Sequence, residues 1–292
     1  MRDAFLKLHL SVLLAGATGL FGRLISLQEI PLVWYRLLIA TLFFIPILYM
    51  QKQLKKVVWK DALKMAGVGM LLGVHWIFFY ASIRYSNVSI GVVCYALVGF
   101  YTAIFDPIVN HHKFDIKEFL YSFLTLLGLS LIFHFDTRYR LGIFLGVIST
   151  GIAAMFTISN KRVTTSVSQY PTQTFLLWEM VGGLFILSLI LPVYMYLFSE
   201  NQVIPVGLDF LYLFILASVC TIGQYMLQIG ALRKIPAFTV NLTYNLEPIY
   251  SIILAMIIFG EAKELNLAFY VGLSLIILSV ILQNWKTFGK HH

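Results

Sequence analysis

Read from one end to the other, the polar residues of this chain fall in short clusters separated by long apolar runs. Ten runs stand out, over residues 6–26, 31–50, 62–83, 88–109, 119–135, 141–160, 171–198, 208–232, 237–259 and 267–285. Most are close to the roughly 20 apolar residues that cross about 30 Å of hydrocarbon. Lipid offers a backbone no hydrogen-bond partners, and the runs lack the period-two alternation of a barrel strand, so each is predicted to be a helix. The expected fold class is an all-α membrane protein of ten transmembrane helices, with no stretch polar enough to form a separate soluble domain. The first run carries His9 and Arg23 and leads at once into the second. It reads as a helix that stays rather than a cleaved leader.

Composition sharpens this picture. Hydrophobic residues make up 60% of the 292 and charged residues only 12%, where soluble domains carry roughly 25%. Mean hydropathy is +0.86. The net charge of +8 sits in short loops, where it sets membrane orientation and does not point to nucleic acid. With ten spans, one side collects Arg2, Lys7, Lys52, Lys55, Lys56, Lys60, Lys64, Lys113, Lys117, Lys161, Arg162, Arg233, Lys234, Lys286 and Lys290. The other side holds Arg23, Arg84, Arg138, Arg140 and Lys263. This bias places both termini of the multi-pass protein in the cytoplasm, and the compactness of the chain fits the inner (plasma) membrane. Cys94 and Cys220 lie in apolar runs and suggest neither a disulfide framework nor a metal site.

A weak repeat runs through the chain. SIRYSNVSI from Ser82 and ALRKIPAFT from Ala231 start 149 residues apart, and each opens a new span. Pro31 and Pro171 each open a second span, 140 residues apart. The division expected is 1–138 and 139–292, two units of five helices. An odd number of spans forces the two units into opposite orientation, the inverted repeat of transporters whose halves rock around a midplane site.

Ionisable groups inside spans are costly and need partners or water. Glu179 lies eight residues beyond Pro171, roughly 12 Å into its helix, and Glu247 lies about as deep in the ninth. Each can carry a proton or bind a substrate ammonium, or can serve as a structural hydrogen-bonding acid. Pro248 removes a helix hydrogen bond beside Glu247 and either exposes backbone to a cavity or simply kinks the helix. Arg36 can grip a carboxylate with two parallel bonds, or can snorkel or pair with a glutamate. His75 is a lone imidazole in mid-helix, a candidate for packing or for a cavity wall. Trp178, Tyr244, Asn241 and Asn245 are the polar and aromatic candidates nearest the two glutamates. Asp106, near a cytoplasmic helix end, is a candidate gate or a plain cap. No catalytic cluster, cofactor motif or metal-ligand spacing is visible, and no nucleotide-binding loop, so energy would come from a gradient or from exchange.

The segment ALRKIPAFTVNLTYNLEPIYSIILAMIIFGE, Ala231 to Glu261, resembles the EamA-type branch of the drug/metabolite transporter superfamily, through Glu247-Pro248 and Gly260-Glu261. PLVWYRLLIA, with Pro31 and Arg36, and FYASIRYSNVSIG extend the resemblance to the first half. The first half departs from the pattern: Gly99 stands where a proline is usual, His112 where a counterpart of Glu261 would fall, and the acidic-proline pair is displaced to Asp106-Pro107. The resemblance implies ten helices around a central cavity and the export or exchange of amino acids and related metabolites. The function expected is a secondary transporter of small metabolites working by alternating access, with protons as candidate coupling ions and a monomer as the working unit. The alternatives are an integral membrane enzyme or a channel acting on a small polar molecule.

Overall fold

The computed structural model describes residues 2–111, 113–135, 139–198, 201–244, 246–263 and 265–289. Among these the secondary structure is helical throughout, as a chain dissolved in lipid requires. In order the helices are α1 (Arg2–Leu24), α2 (Glu29–Met50), α3 (Trp59–Arg84), α4 (Val88–Val93), α5 (Val98–Asn110), α6 (Ile116–Phe135) and α7 (Arg140–Ser166). There follow α8 (Thr172–Leu197), α9 (Asp209–Ala217), α10 (Gln224–Leu232), α11 (Ala237–Tyr244), α12 (Glu247–Phe259) and α13 (Leu267–Gly289). Among the described residues seven spans are long and apolar enough to cross a membrane: α1, α2, α3, α4 to α5, α7, α8, and α9 to α10. Three further apolar helices are shorter, over Ser122–Ile132, Glu247–Phe259 and Leu267–Ser279.

Three of the expected single helices are interrupted. The fourth run breaks at a 3₁₀ turn over Cys94–Leu97. The eighth carries a π segment over Ser218–Gly223. The ninth stops at Tyr244 and restarts at Glu247. Proline explains the last break. Pro248 has no N–H to donate and would crowd the carbonyl one turn back. It therefore sits in the first turn of α12, where no donor is needed.

Small residues let helices meet closely. A Cβ built on Gly69 would fall on the carbonyl of Glu179, and one on Gly182 on the carbonyl of Ala66, so α3 and α8 cross backbone to backbone. α3 also packs along α7. α6 and α13 pair with each other, with Gly128 against Gly272 and a 3.0 Å hydrogen bond between Thr125 and Ser279. The apolar side chains exposed on α8, α9 and α12, among them Phe185, Leu189, Phe210 and Ile257, cover the outside of the bundle, as a lipid-facing surface would require.

Candidate functional site

At the centre of the bundle, α1, α2, α3, α7 and the interrupted segments surround a small cavity of about 30 Å³, room for about two waters. Its polar wall is Thr18, Arg36, His75, Gln224, Gln228 and Glu247, and its aromatic wall is Trp76, Phe79, Tyr95, Phe156, Tyr225 and Tyr244. The interruptions supply much of it. Tyr95 comes from the 3₁₀ turn, Gln224 and Tyr225 from the start of α10, and Tyr244 and Glu247 from either side of the break between α11 and α12.

Arg36 is the dominant charge. It is 1% exposed, so it does not snorkel to an interface, and among the described residues it forms no ion pair with a glutamate, though its charge acts on Glu247 across the cavity. Instead Nε donates to Thr221 Oγ1 at 2.7 Å, Nη1 to the Tyr80 hydroxyl at 2.9 Å and Nη2 to the Cys220 carbonyl at 3.1 Å. The guanidinium lies 3.5 Å over the Trp76 ring, a cation–π contact that strengthens when water is excluded. The π segment presents both Cys220 and Thr221 to it, and Thr221 Oγ1 itself donates to the Leu216 carbonyl five residues back at 2.8 Å. A guanidinium has five donors and three are in use here, which leaves two for a ligand in the cavity.

Glu247 lines the same cavity at 5% exposure. Among the described residues its carboxyl accepts no hydrogen bond, and the opposite charge that acts on it is Arg36. Buried carboxyls are normally satisfied, and the group it lacks is one that a ligand or a proton would supply. His75 faces the cavity too, with Nδ1 donating to the Ser149 carbonyl at 3.0 Å and 2.8 Å from the Ser149 hydroxyl. Tyr244 shares its hydroxyl with Ser11 at 2.7 Å and accepts from Gln224 Nε2 at 2.7 Å.

The remaining predicted residues lie elsewhere. Glu179 is fully buried in the crossing of α3 and α8. Its Oε1 accepts from Asn160 Nδ2 at 2.7 Å, while its Oε2 and Asn160 Oδ1 lack partners. It is absent from the cavity wall, as is the half-buried Trp178 beside it. Asn241 ties α11 to α5 by donating to Thr102 Oγ1 at 2.8 Å, with its Oδ1 unpartnered. Pro248 is buried in the first turn of α12 and does not reach the cavity. Asp106 accepts from Asn110 Nδ2 at 2.5 Å on α5, away from the cavity. Asn245 lies outside the described residues. Sequence reasoning missed Gln224 and Gln228. Their signal was available: two glutamines four residues apart share one helix face, in an otherwise apolar run.

Comparisons with known proteins bear on the family and the fold. A family model described as the EamA-like transporter family matches residues 4–134 and again 140–285. An uncharacterized transporter, YxxF, of Bacillus subtilis (strain 168) is 24% identical over 274 residues, covering 90% of this chain and 84% of its own. An uncharacterized transporter of Haemophilus influenzae is 24% identical over 269 residues, with 86% and 84% covered. A crystal structure titled only as that of a protein superposes with a TM-score of 0.67 at 18% identity, covering 96% of both chains. That likeness is one of fold.

Proposed function

The chain belongs to the EamA-like transporter family, a family of multi-pass membrane transporters, and from that premise we propose a secondary transporter of small metabolites such as amino acids. It works as an exporter or exchanger, by alternating access between two inverted five-helix halves, residues 1–138 and 139–292. One observation carries the reading. Arg36 and Glu247, opposite charges from opposite halves of the chain, line one buried cavity walled by aromatic rings. That pair of charges suits the carboxylate and ammonium of a small molecule, held in a state of the transport cycle wider than this one, whose cavity has room for about two waters.

Several local correspondences support two related halves. The break at Cys94–Leu97 and the break between Tyr244 and Glu247 coincide when the chain is shifted by the 149 residues that separate the two repeat segments. Paired broken helices around a midplane site are a device of transporters. Arg84, at the end of α3, donates to the Leu27 carbonyl just before α2. Arg233, just after α10, likewise donates to the Tyr170 carbonyl just before α8. The expected boundary also falls between the two stretches that one family model matches. The ten spans, the cytoplasmic termini, the inner-membrane location and the monomeric working unit are part of this proposal.

Counterflow in proteoliposomes loaded with a pool of amino acids and other small metabolites tests it, at two values of pH. Saturable exchange of one class of tracer is expected. No exchange by folded protein across a broad pool, or chemical conversion of the tracer, would count against transport. Glu247→Gln, which removes the acid of the cavity, is expected to abolish the pH dependence of exchange. Glu179→Gln is its companion. If both variants exchange with the parent's rate and pH profile, neither carboxyl carries the coupling proton.

A further inference from the structure

A second, larger space opens at one end of the bundle. It holds about 460 Å³ and is lined by Gly22, Arg23, Ser26, Ile83, Arg84 and Asn87, among others. On α1, Thr18 lines the central cavity and Gly22 this vestibule; on α3, Phe79 lines the cavity and Ile83 the vestibule. Both helices therefore give the same separation, four residues or about 6 Å along the axis.

The partition between the two spaces is thin and apolar. A Cβ on Gly22 would come 2.6 Å from the Tyr80 ring and 3.4 Å from Ile83, and one on Gly19 would come 3.1 Å from Val92. The partition is also wired to the site, because the Tyr80 hydroxyl accepts from Arg36.

Beside it sits a carboxylate that the central cavity does not use. Glu261 is 0% exposed. Its Oε1 accepts from Arg23 Nη1 at 2.7 Å and from the Val88 amide at 3.1 Å. Its Oε2 accepts from the Ser89 amide at 2.9 Å and the Ser89 hydroxyl at 2.6 Å. One side chain thus ties the end of α1 and the first turn of α4, both in the first half, to the turn after α12 in the second. Buried charge-assisted bonds of this kind are strong and directional, and α1 cannot part from α4 without breaking them.

We propose that vestibule and cavity are two ends of one substrate route, parted by a one-turn gate of Gly19, Gly22, Tyr80 and Ile83, with Glu261 as its latch. This rests on the transporter reading of the central cavity. When a ligand carboxylate draws Arg36 toward the cavity, Tyr80 loses its donor and the partition loosens; release of Arg23 and Ser89 by Glu261 then lets α1 swing.

The test places a reporter thiol at the cavity wall with Thr18→Cys and follows its reaction with a membrane-impermeant maleimide, in right-side-out and inside-out vesicles. The same chain without the reporter serves as the blank for Cys94 and Cys220. Adding Arg23→Gln, which removes the ion pair to Glu261 together with the contact of the guanidinium over the Phe259 ring, is expected to speed labelling about tenfold, the value of one charge-assisted hydrogen bond. The acceleration should appear from one membrane face only, and that face is the one the vestibule serves. A parent-like rate from both faces, in protein that melts like the parent, overturns the latch, as does equal acceleration from both. Should Arg23→Gln not yield folded protein, Ser89→Ala deletes a single hydroxyl donor and decides by the same readout. Counterflow measured on the unsubstituted chain separates the two claims: its absence sinks the transporter reading, whereas unchanged labelling sinks the gate.

Discussion

Arg36→Lys is expected to slow exchange about a hundredfold, a loss of roughly 2.8 kcal/mol at about 1.4 kcal/mol per decade. The charge survives the substitution, so the loss isolates the fork. The guanidinium holds three acceptors on two elements at once, Thr221 and the Cys220 carbonyl of the π segment and Tyr80 of α3, while lying over Trp76. An ammonium is a compact point charge on a shorter reach, without the planar face that stacks on indole. Hydrogen bonds to charged groups are worth about 1.5–3 kcal/mol each, so losing one or two accounts for the decades. Initial rates of counterflow against substrate concentration give the answer, with a thermal melt alongside to separate lost function from lost fold. An Arg36→Lys protein that exchanges at the parent's rate would mean that charge alone matters and that the geometry is incidental.

The second large effect is on folding. Gly69→Val and Gly182→Val are each expected to destabilise the protein by about 3 kcal/mol or more, beyond the usual range of overpacking. Neither position has room for even one methyl, because the neighbour is backbone rather than a side chain that can turn away: the Glu179 carbonyl in one case and the Ala66 carbonyl in the other. α3 and α8 would have to separate, and Glu179 would be pulled from Asn160. Gly67 is the internal control, with nothing within 4 Å of a built Cβ. Gly67→Ala should be neutral, or gain up to about 1 kcal/mol from helix propensity. Melting temperature and the monodisperse fraction in detergent report all three. Parent-like melting of Gly69→Val would exclude the close crossing.

The long-range order of the bundle was only partly legible in the sequence. Hydropathy delivered the helical class, because lipid leaves the backbone no alternative, but not the interruptions inside the fourth, eighth and ninth runs. Depth was also legible for His75, Tyr244 and Glu247, which line the cavity, whereas Arg36 counts as near the outer end of its helix from Pro31 and yet lines the same cavity. Rotation about the helix axis was not. Trp178, Asn241 and Pro248 are as deep but face other helices, and no count of residues reveals which side of an all-apolar helix meets the centre. The breaks follow the same division. Pro248 announces one of them, whereas Cys94–Leu97 carries no proline to mark it. Glu261 was visible only as part of a motif, since its partners Arg23 and Ser89 are 238 and 172 residues away, and the bonds exist only once the fold has brought them together.

The π segment has a consequence for how such a site can arise. A π turn accommodates one residue more than an α turn, and each α-helical residue turns the chain by about 100°. Without that extra residue, everything after Gly223 would be rotated by more than a quarter turn, and Gln224, Tyr225 and Gln228 would look away from the cavity they now line. A single-residue insertion in an ordinary apolar helix is therefore enough to turn a new set of side chains inward and, in the same stroke, to bring Cys220 and Thr221 against Arg36. Deleting one residue between 218 and 223 should reverse both changes at once, so the lining of this cavity can be altered by frame as well as by substitution.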